Sequence, residues 1–316
     1  MSLNEFDIIQ QYFSQLTRPR NDVITGIGDD CALLVPEAGK ILAVSTDTLV
    51  AGRHFLADVD PASLGHKCLA VNLSDLAAMG AEPCWVSLAL TLPEVDENWL
   101  ENFAQGFAQL AEKHNLQLVG GDTTSGPLAI TLTVHGQVEA DAVLTRNGAR
   151  PGDLICVTGR LGRAALTLNQ LLNGAAVTEK ARMALERPEP RVAVGIALQG
   201  LATACIDISD GLMADLGHIC LASKLKAVVD TSAVPGPENT LDQETRLDLA
   251  LTGGDDYELC FTFPEKHKDR LLQIAQQTEV SISVIGRMHE GQGIEIFDES
   301  GQMMEMPAQQ GYMHFS

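Results

Sequence analysis

Residues 68–79 are apolar almost all the way round a helical wheel and carry one charged side chain, Asp75. A helix apolar on all sides belongs inside a core rather than on a surface. The pattern predicts this helix from Pro61 to Met79, with proline at a favourable first position. Leu64, Cys68, Val71, Asp75 and Met79 fall along one stripe, and Asn72 lies one turn before Asp75. An ionised carboxylate there is costly unless it is paired or bound to a cation. Two answers stay open at this level: a cation at Asp75, or an arginine or backbone donors that satisfy it.

Around this helix, strand-like and helix-like runs alternate, the pattern of a mixed α/β chain. In the first half the sequence predicts strands at 41–44, 84–92, 116–119 and 128–138, and helices over 4–16 and 98–114. The turn-rich run 147–153 then breaks the pattern. A boundary there divides 316 residues into 1–148 and 149–316, in keeping with roughly 100–200 residues per domain. The second half predicts strands at 154–158, 204–208, 227–230, 259–263 and 280–285. Its helices fall after Gly162, near 191–202 and over 210–222, and 301–316 reads as a docked tail.

Four apolar segments end in a small residue followed by a carboxylate: Val44-Ser45-Thr46-Asp47, Val119-Gly120-Gly121-Asp122, Ile206-Asp207-Ile208-Ser209-Asp210 and Leu251-Thr252-Gly253-Gly254-Asp255-Asp256. A fifth, Gly26-Ile27-Gly28-Asp29-Asp30, precedes an apolar stretch. Aspartates at strand ends are short, stiffly placed oxygen donors of the kind magnesium requires, and glycines let phosphate approach the backbone. Each motif alone reads equally well as an Asx turn or a helix N-cap. Five together favour a metal site. Ser209 opens the helix over 210–222, where it either caps the helix or marks an N-terminus able to receive phosphate.

Several classes are disfavoured. A formal net charge of −21 repels nucleic acid and anionic lipid, and no stretch approaches about 20 uninterrupted apolar residues. Residues 1–10 have neither a basic nor an apolar leader region. Seven cysteines, an odd number without a C-x-x-C spacing, read as buried reduced thiols of a cytoplasmic protein. There is no G-x-x-x-x-G-K-[ST], no G-x-G-x-x-G, no G-x-S-x-G and no zinc-like His/Cys spacing. Any phosphate bound here needs cations where a P-loop enzyme would use lysine.

The motifs resemble the thiamine-monophosphate kinase family. The resemblance lies in Gly26-Ile27-Gly28-Asp29-Asp30-Cys31-Ala32, Ser45-Thr46-Asp47, His54-Phe55, the run from Val71 to Gly80, Gly120-Gly121-Asp122-Thr123, Leu144-Thr145-Arg146, Val157-Thr158-Gly159 and the run from Ile206 to Leu212. It implies a two-domain α/β (α+β) fold like that of aminoimidazole ribonucleotide synthetase, with N-terminal sheets of two subunits pairing into a barrel. It further implies a magnesium-dependent phosphotransferase that uses ATP as co-substrate and thiamine monophosphate as phosphate acceptor. Several Mg²⁺ ions, a homodimer and a cytoplasmic location follow from it, with ATP bound between the domains and across the dimer seam.

Carried over by position, Asp30, Ser45, Thr46, Asp47, Asp75, Asp122, Asp207 and Asp210 match the family's magnesium ligands. Gly121, Asp122, Arg146 and Ser209 match its ATP contacts, and His54, Asp255 and Tyr312 its substrate contacts. At Asp255 the family usually has Glu. No catalytic general base is implied, because the acceptor phosphate is largely ionised near pH 7. The competing readings are another MgATP enzyme of the same superfamily, such as selenophosphate synthetase, and a nucleotide- or metal-binding sensor without turnover.

Overall fold

The computed structural model describes residues 3–237, 242–307 and 311. Two compact units emerge. The first comprises Met1–Leu76 with Ala81–Ala140, the second Ala77–Gly80 with Asp141–Ser316.

The first unit begins with α1 (Glu5–Ile8), capped by Asn4, which runs into a π-helical turn over Ile9–Phe13. A short antiparallel pair follows, β1 (Val23–Thr25) and β2 (Leu33–Leu34). The main sheet has β3 (Lys40–Val50), β6 (Ala129–Glu139), β4 (Glu82–Leu92) and β5 (Gln117–Ser125), in that spatial order. The 4–5 pair is parallel and the others antiparallel. Helix α2 (Pro61–Ala78) is the predicted apolar helix, and Leu64, Cys68, Leu69, Leu73 and Leu76 along it are buried. Helix α3 (Glu97–Lys113) crosses α2 at two glycines, backbone against backbone. A Cβ on Gly65 would stand 2.1 Å from the Phe103 carbonyl oxygen, and one on Gly106 would stand 1.8 Å from that of Ala62.

Two expectations change here. β3 does not end at Val44 and β5 does not end at Val119; both continue through their Ser-Thr-Asp and Gly-Gly-Asp runs. Small and polar residues suggested strand ends, but in β3 cross-strand hydroxyl pairs carry the ladder onward, Thr46 with Thr133 and Thr48 with Thr131, each Oγ1 to Oγ1 at 2.9 Å, and β5 stays paired with β4 as far as Ser125.

The second unit is built on a six-stranded sheet of β7 (Leu154–Thr158), β8 (Ala204–Ile208), β9 (Lys226–Asp230), β10 (Glu258–Phe263), β11 (Ile282–His289) and β12 (Gly293–Phe297). Their spatial order is 12-9-11-7-10-8, antiparallel except where β12 pairs with β9. Strands β7, β8 and β10 are buried along their whole length. Strands buried this way read as mainly apolar runs, here with Asp207 and Glu258 as the charged exceptions, which made them legible in the sequence. The helices are α4 (Arg163–Leu172), α5 (Glu179–Glu186), α6 (Val192–Leu198), α7 (Leu212–Ser223), α8 (Gln243–Thr252) and α9 (Lys268–Thr278). Helix α7 begins two residues later than the sequence pattern suggests, because Gly211 takes φ +129° and serves as its N-cap. Helices α5, α8 and α9 and strand β12 were not foreseen.

Six cysteines are buried as expected, but Cys31 is exposed, in the loop after Gly28-Asp29-Asp30. No described helix is long and apolar enough to cross a membrane.

Candidate active site

Strand periodicity and the buried helix together place a pair of carboxylates in the first unit. Successive side chains of a strand point to opposite faces, so Ser45 and Asp47 share a face of β3 and Thr46 takes the other. Ser45 and Asp47 lie towards α2. There Ser45 Oγ donates a hydrogen bond to Asp75 Oδ2. The Asp47 N–H donates to Asn72 Oδ1 at 3.1 Å, and Asn72 Nδ2 donates back to the Cys68 carbonyl at 3.0 Å. Fully buried Asn72 thus ties β3 to α2 and fixes Asp47 against Asp75. Burial, then the Asp75 charge, hold the Asp47 carboxyl well above its usual range. Two adjacent carboxylates and a hydroxyl are hard oxygen donors whose mutual repulsion a divalent cation relieves. This donor set fits magnesium. Thr46 does not join it, since its hydroxyl pairs with Thr133 on the opposite face.

Asp30, Gly121 and Asp122 belong to a cavity of about 960 Å³ in the same unit. Its walls mix Phe6, Phe13 and Leu118 with the polypeptide of the Gly-Ile-Gly-Asp-Asp loop, and His135 contributes a ring. Burial lowers the His135 pKa, so the imidazole is neutral near pH 7. The two glycines at this wall differ. A Cβ on Gly121 would stand 1.8 Å from the Leu88 carbonyl oxygen, whereas one on Gly120 would meet nothing within 4 Å. His54 lies just past β3, where its Nδ1 accepts the Val50 N–H at 2.9 Å. That places the proton of the neutral imidazole on Nε2.

The second unit holds the remaining residues. Asp207 is buried at the end of β8, and Ser209 and Asp210 are half-buried in the turn before α7. The N–H groups of Ser209, Asp210 and Gly211 are already occupied: each donates to Asp215 Oδ2 at 3.1 Å. Ser209 therefore does not cap α7, and this turn has no open N–H groups for phosphate. Burial and the Asp210 charge push the Asp215 carboxyl up to about 6, against the three N–H bonds that lower it. Asp255 sits in the facing loop at φ +71°, and its N–H donates to the Ser209 carbonyl at 2.8 Å.

Asp256 accepts from the Gly162 and Ala164 N–H groups at 2.5 and 3.4 Å, and burial pushes its carboxyl up to about 8. Arg146 is exposed, and its carbonyl accepts from Ser223 Oγ at 3.2 Å. Tyr312 lies outside the described residues.

Among the described residues no three His, Cys, Asp or Glu side chains are grouped as a metal site. What comes together is a pair, Asp47 with Asp75. Asn72, Asp215 and Asp256 were not among the expected site residues. Asn72 carried a signal as an amide one turn from a buried carboxylate and Asp256 as the last residue of a Gly-Gly-Asp-Asp run, whereas Asp215 carried none.

Known proteins resemble both halves of the chain. The N-terminal domain family described as AIR synthase related protein matches residues 28–138, and its C-terminal domain family matches 150–299. The thiamine-monophosphate kinase of Salmonella typhimurium is 51% identical over 297 residues, 91% of each chain. The crystal structure of thiamine-monophosphate kinase from Stenotrophomonas maltophilia K279a has a TM-score of 0.88 at 44% identity, covering 96% of this chain and 99% of that one. A structure of AaThiL complexed with AMPPCP and TMP has a TM-score of 0.77 at 31% identity, covering 89% of both. The chain belongs to the thiamine-monophosphate kinase family, with the mixed α/β two-domain fold of AIR synthase related proteins.

Proposed function

We propose that this chain transfers the γ-phosphoryl group of ATP directly to the phosphate of thiamine monophosphate, giving thiamine diphosphate and ADP. The observation that carries this reading is the Asp47–Asp75 pair under the Ser45 hydroxyl, a cation seat in a chain without a P-loop. Relatives of the same length are named for this activity, and one was solved with AMPPCP and TMP.

The acceptor oxygen needs no general base, because a phosphate monoester is largely dianionic near pH 7. The difficulty is holding two anionic phosphates in line. Magnesium, when bound, screens that repulsion and orients both oxygens. The residues that would hold one such ion are Asp47, Asp75 and Ser45, with Asp30 and Asp122 as further donors in the same unit; Asp207 and Asp210 would serve a further Mg²⁺ ion. Gly121 packs β5 tightly on β4 and so sets the main chain that, with Asp122, meets the nucleotide; Ser209 contributes a further ATP contact, and the exposed Arg146 guanidinium adds positive charge at the phosphates. His54 Nε2–H donates to thiamine monophosphate, and Asp255 and Tyr312 complete the substrate contacts.

The enzyme works as a homodimer in the cytoplasm. Strand β3 is an eleven-residue edge strand whose open face shows Leu42 and Val44, 42% and 55% exposed, beside Thr46 and Thr48. A long, partly apolar edge is stable in water only when covered. A second copy, its sheet closing a barrel with this one, would cover it. Free thiols throughout the seven cysteines suit a reducing compartment.

Incubation of the purified protein with MgATP and thiamine monophosphate tests the activity. Thiamine diphosphate with equimolar ADP is the expected outcome. ADP formed only with a different phosphate or carboxylate acceptor would assign the chain to another reaction of the superfamily.

A further inference from the structure

Helix α7 opens without a side-chain cap of the ordinary kind. Its N-cap is Gly211, and the residue that closes its first turn lies inside the helix: Asp215. One oxygen of that carboxylate, Oδ2, gathers three consecutive N–H groups, those of Ser209, Asp210 and Gly211, each at 3.1 Å. Three successive N–H groups reach one point only when the backbone folds into a concave nest, a shape that elsewhere receives phosphate. Here the chain's own carboxylate fills the nest.

The other side of the same turn is held by carbonyl acceptors. The Asp255 N–H donates to the Ser209 carbonyl at 2.8 Å and the Tyr257 N–H to the Ile208 carbonyl at 2.9 Å. Both donors are non-glycine residues at positive φ, +71° and +52°. Between them and the turn there is no spare room: a Cβ on Gly254 would stand 2.5 Å from the Ser209 carbonyl oxygen. Among the described residues, neither Ser209 nor Asp210 spends its side-chain oxygen on a hydrogen bond, and both side chains are half-exposed.

We propose that Asp215 is a positioning residue that holds the 207–211 turn in the form in which Asp210 presents oxygen to a cation and Ser209 meets the nucleotide. It rests on the reading that this turn serves the cation and nucleotide site. Occupying the nest has two consequences. Phosphate cannot bind the turn through backbone N–H groups, so it reaches the turn only through a cation. The buried negative charge beside Asp210 also raises the turn's preference for a divalent cation over a free anion.

The test uses Asp215→Asn and Asp215→Ala in the full chain. Asparagine keeps an acceptor oxygen but drops the charge, while alanine frees all three N–H groups. Binding is read without turnover, by calorimetric titration of Mn²⁺ into protein with ADP. Kinetics give the Mg²⁺ concentration for half-maximal rate and the KM for each substrate.

The expected result is cation affinity at least about tenfold weaker in Asp215→Ala and weakened to a lesser degree in Asp215→Asn. KM for thiamine monophosphate should stay within about twofold, and the rate should return at high Mg²⁺. If both variants fold and bind Mn²⁺ within about twofold of the parent, the proposal is overturned. Should Asp215→Ala fail to fold, Asp215→Asn decides: parental Mn²⁺ affinity overturns the proposal and weakened affinity upholds it. A parent protein that makes no thiamine diphosphate would remove the kinase reading, but the Mn²⁺ titration would still decide the role of Asp215.

Discussion

Ser45 Oγ donates a hydrogen bond to the Asp75 carboxylate, thirty positions along the chain and on a different element. The bond makes β3 and α2 a single oxygen-donor surface, with Asp47 completing it. Ser45→Ala removes one donor from a carboxylate already crowded by another. A hydrogen bond to a charged group contributes about 1.5–3 kcal/mol. A drop in kcat/KM of about tenfold to a hundredfold is therefore expected, with the far-UV circular dichroism unchanged. Parallel measurement of rate and spectrum checks it.

Gly120 and Gly121 are adjacent in β5 and give opposite predictions. Gly121 has φ +151° and its hydrogen faces the Leu88 carbonyl, so Gly121→Ala forces β5 away from β4. A loss of about 2–4 kcal/mol is expected, in the range of overpacked or strained sites. Gly120→Ala places its methyl in open space, so Tm should hold while KM for ATP changes. Thermal melts and ATP saturation curves of the two variants separate these outcomes.

Asp256 makes stability depend on pH. Burial holds its folded-state pKa at about 8, above the ordinary value of 3.8 that it has in the unfolded chain. The folded state therefore binds this proton more tightly. The contribution is fully present below about pH 4 and is lost as pH rises through 8. Asp256→Asn mimics the protonated form and removes this dependence. Relative to the variant, the parent should lose several degrees of Tm between pH 5 and pH 9, at about 1.4 kcal/mol per pKa unit. Tm measured across pH for both proteins checks the sign.

The open face of β3 predicts an oligomer. Leu42→Lys with Val44→Lys puts charge on that face and should convert a dimer to a monomer with reduced activity. Sedimentation of the parent as a monomer at micromolar concentration would contradict the proposed pairing.

Much of this arrangement was legible from residues alone, for identifiable reasons. Asp75 announced itself because a carboxylate on an all-apolar helix must have a partner, and Ser45 and Asp47 supply the rest of that surface. Strands β7, β8 and β10 were legible as mainly apolar runs, interrupted only by Asp207 in β8, by Glu258 and Thr262 in β10 and by the terminal Thr158 in β7. The extent of β3 was not, because Ser-Thr-Asp-Thr looks like the end of a strand until Thr131 and Thr133 are seen across from it. Nor was the parity of Thr46, which depends on the strand continuing. Asp215 reads as an ordinary first-turn acid of a helix; only the fold brings three N–H groups back to its oxygen. Asp255 and Tyr257 gave no sign of positive φ, since nothing in their residue types demands it.

In the proposed reaction the Asp47–Asp75 pair seats the cation for phosphate-to-phosphate transfer. Transfer of label from γ-³²P-ATP to thiamine monophosphate, measured against Mg²⁺ for the parent, Asp47→Asn and Asp75→Asn, tests it most directly. Labelled thiamine diphosphate is expected from the parent, none in EDTA, and a loss of about 10²–10³-fold in each folded variant. Transfer at near-parental rates in both variants, or transfer by the parent without a divalent cation, would contradict it.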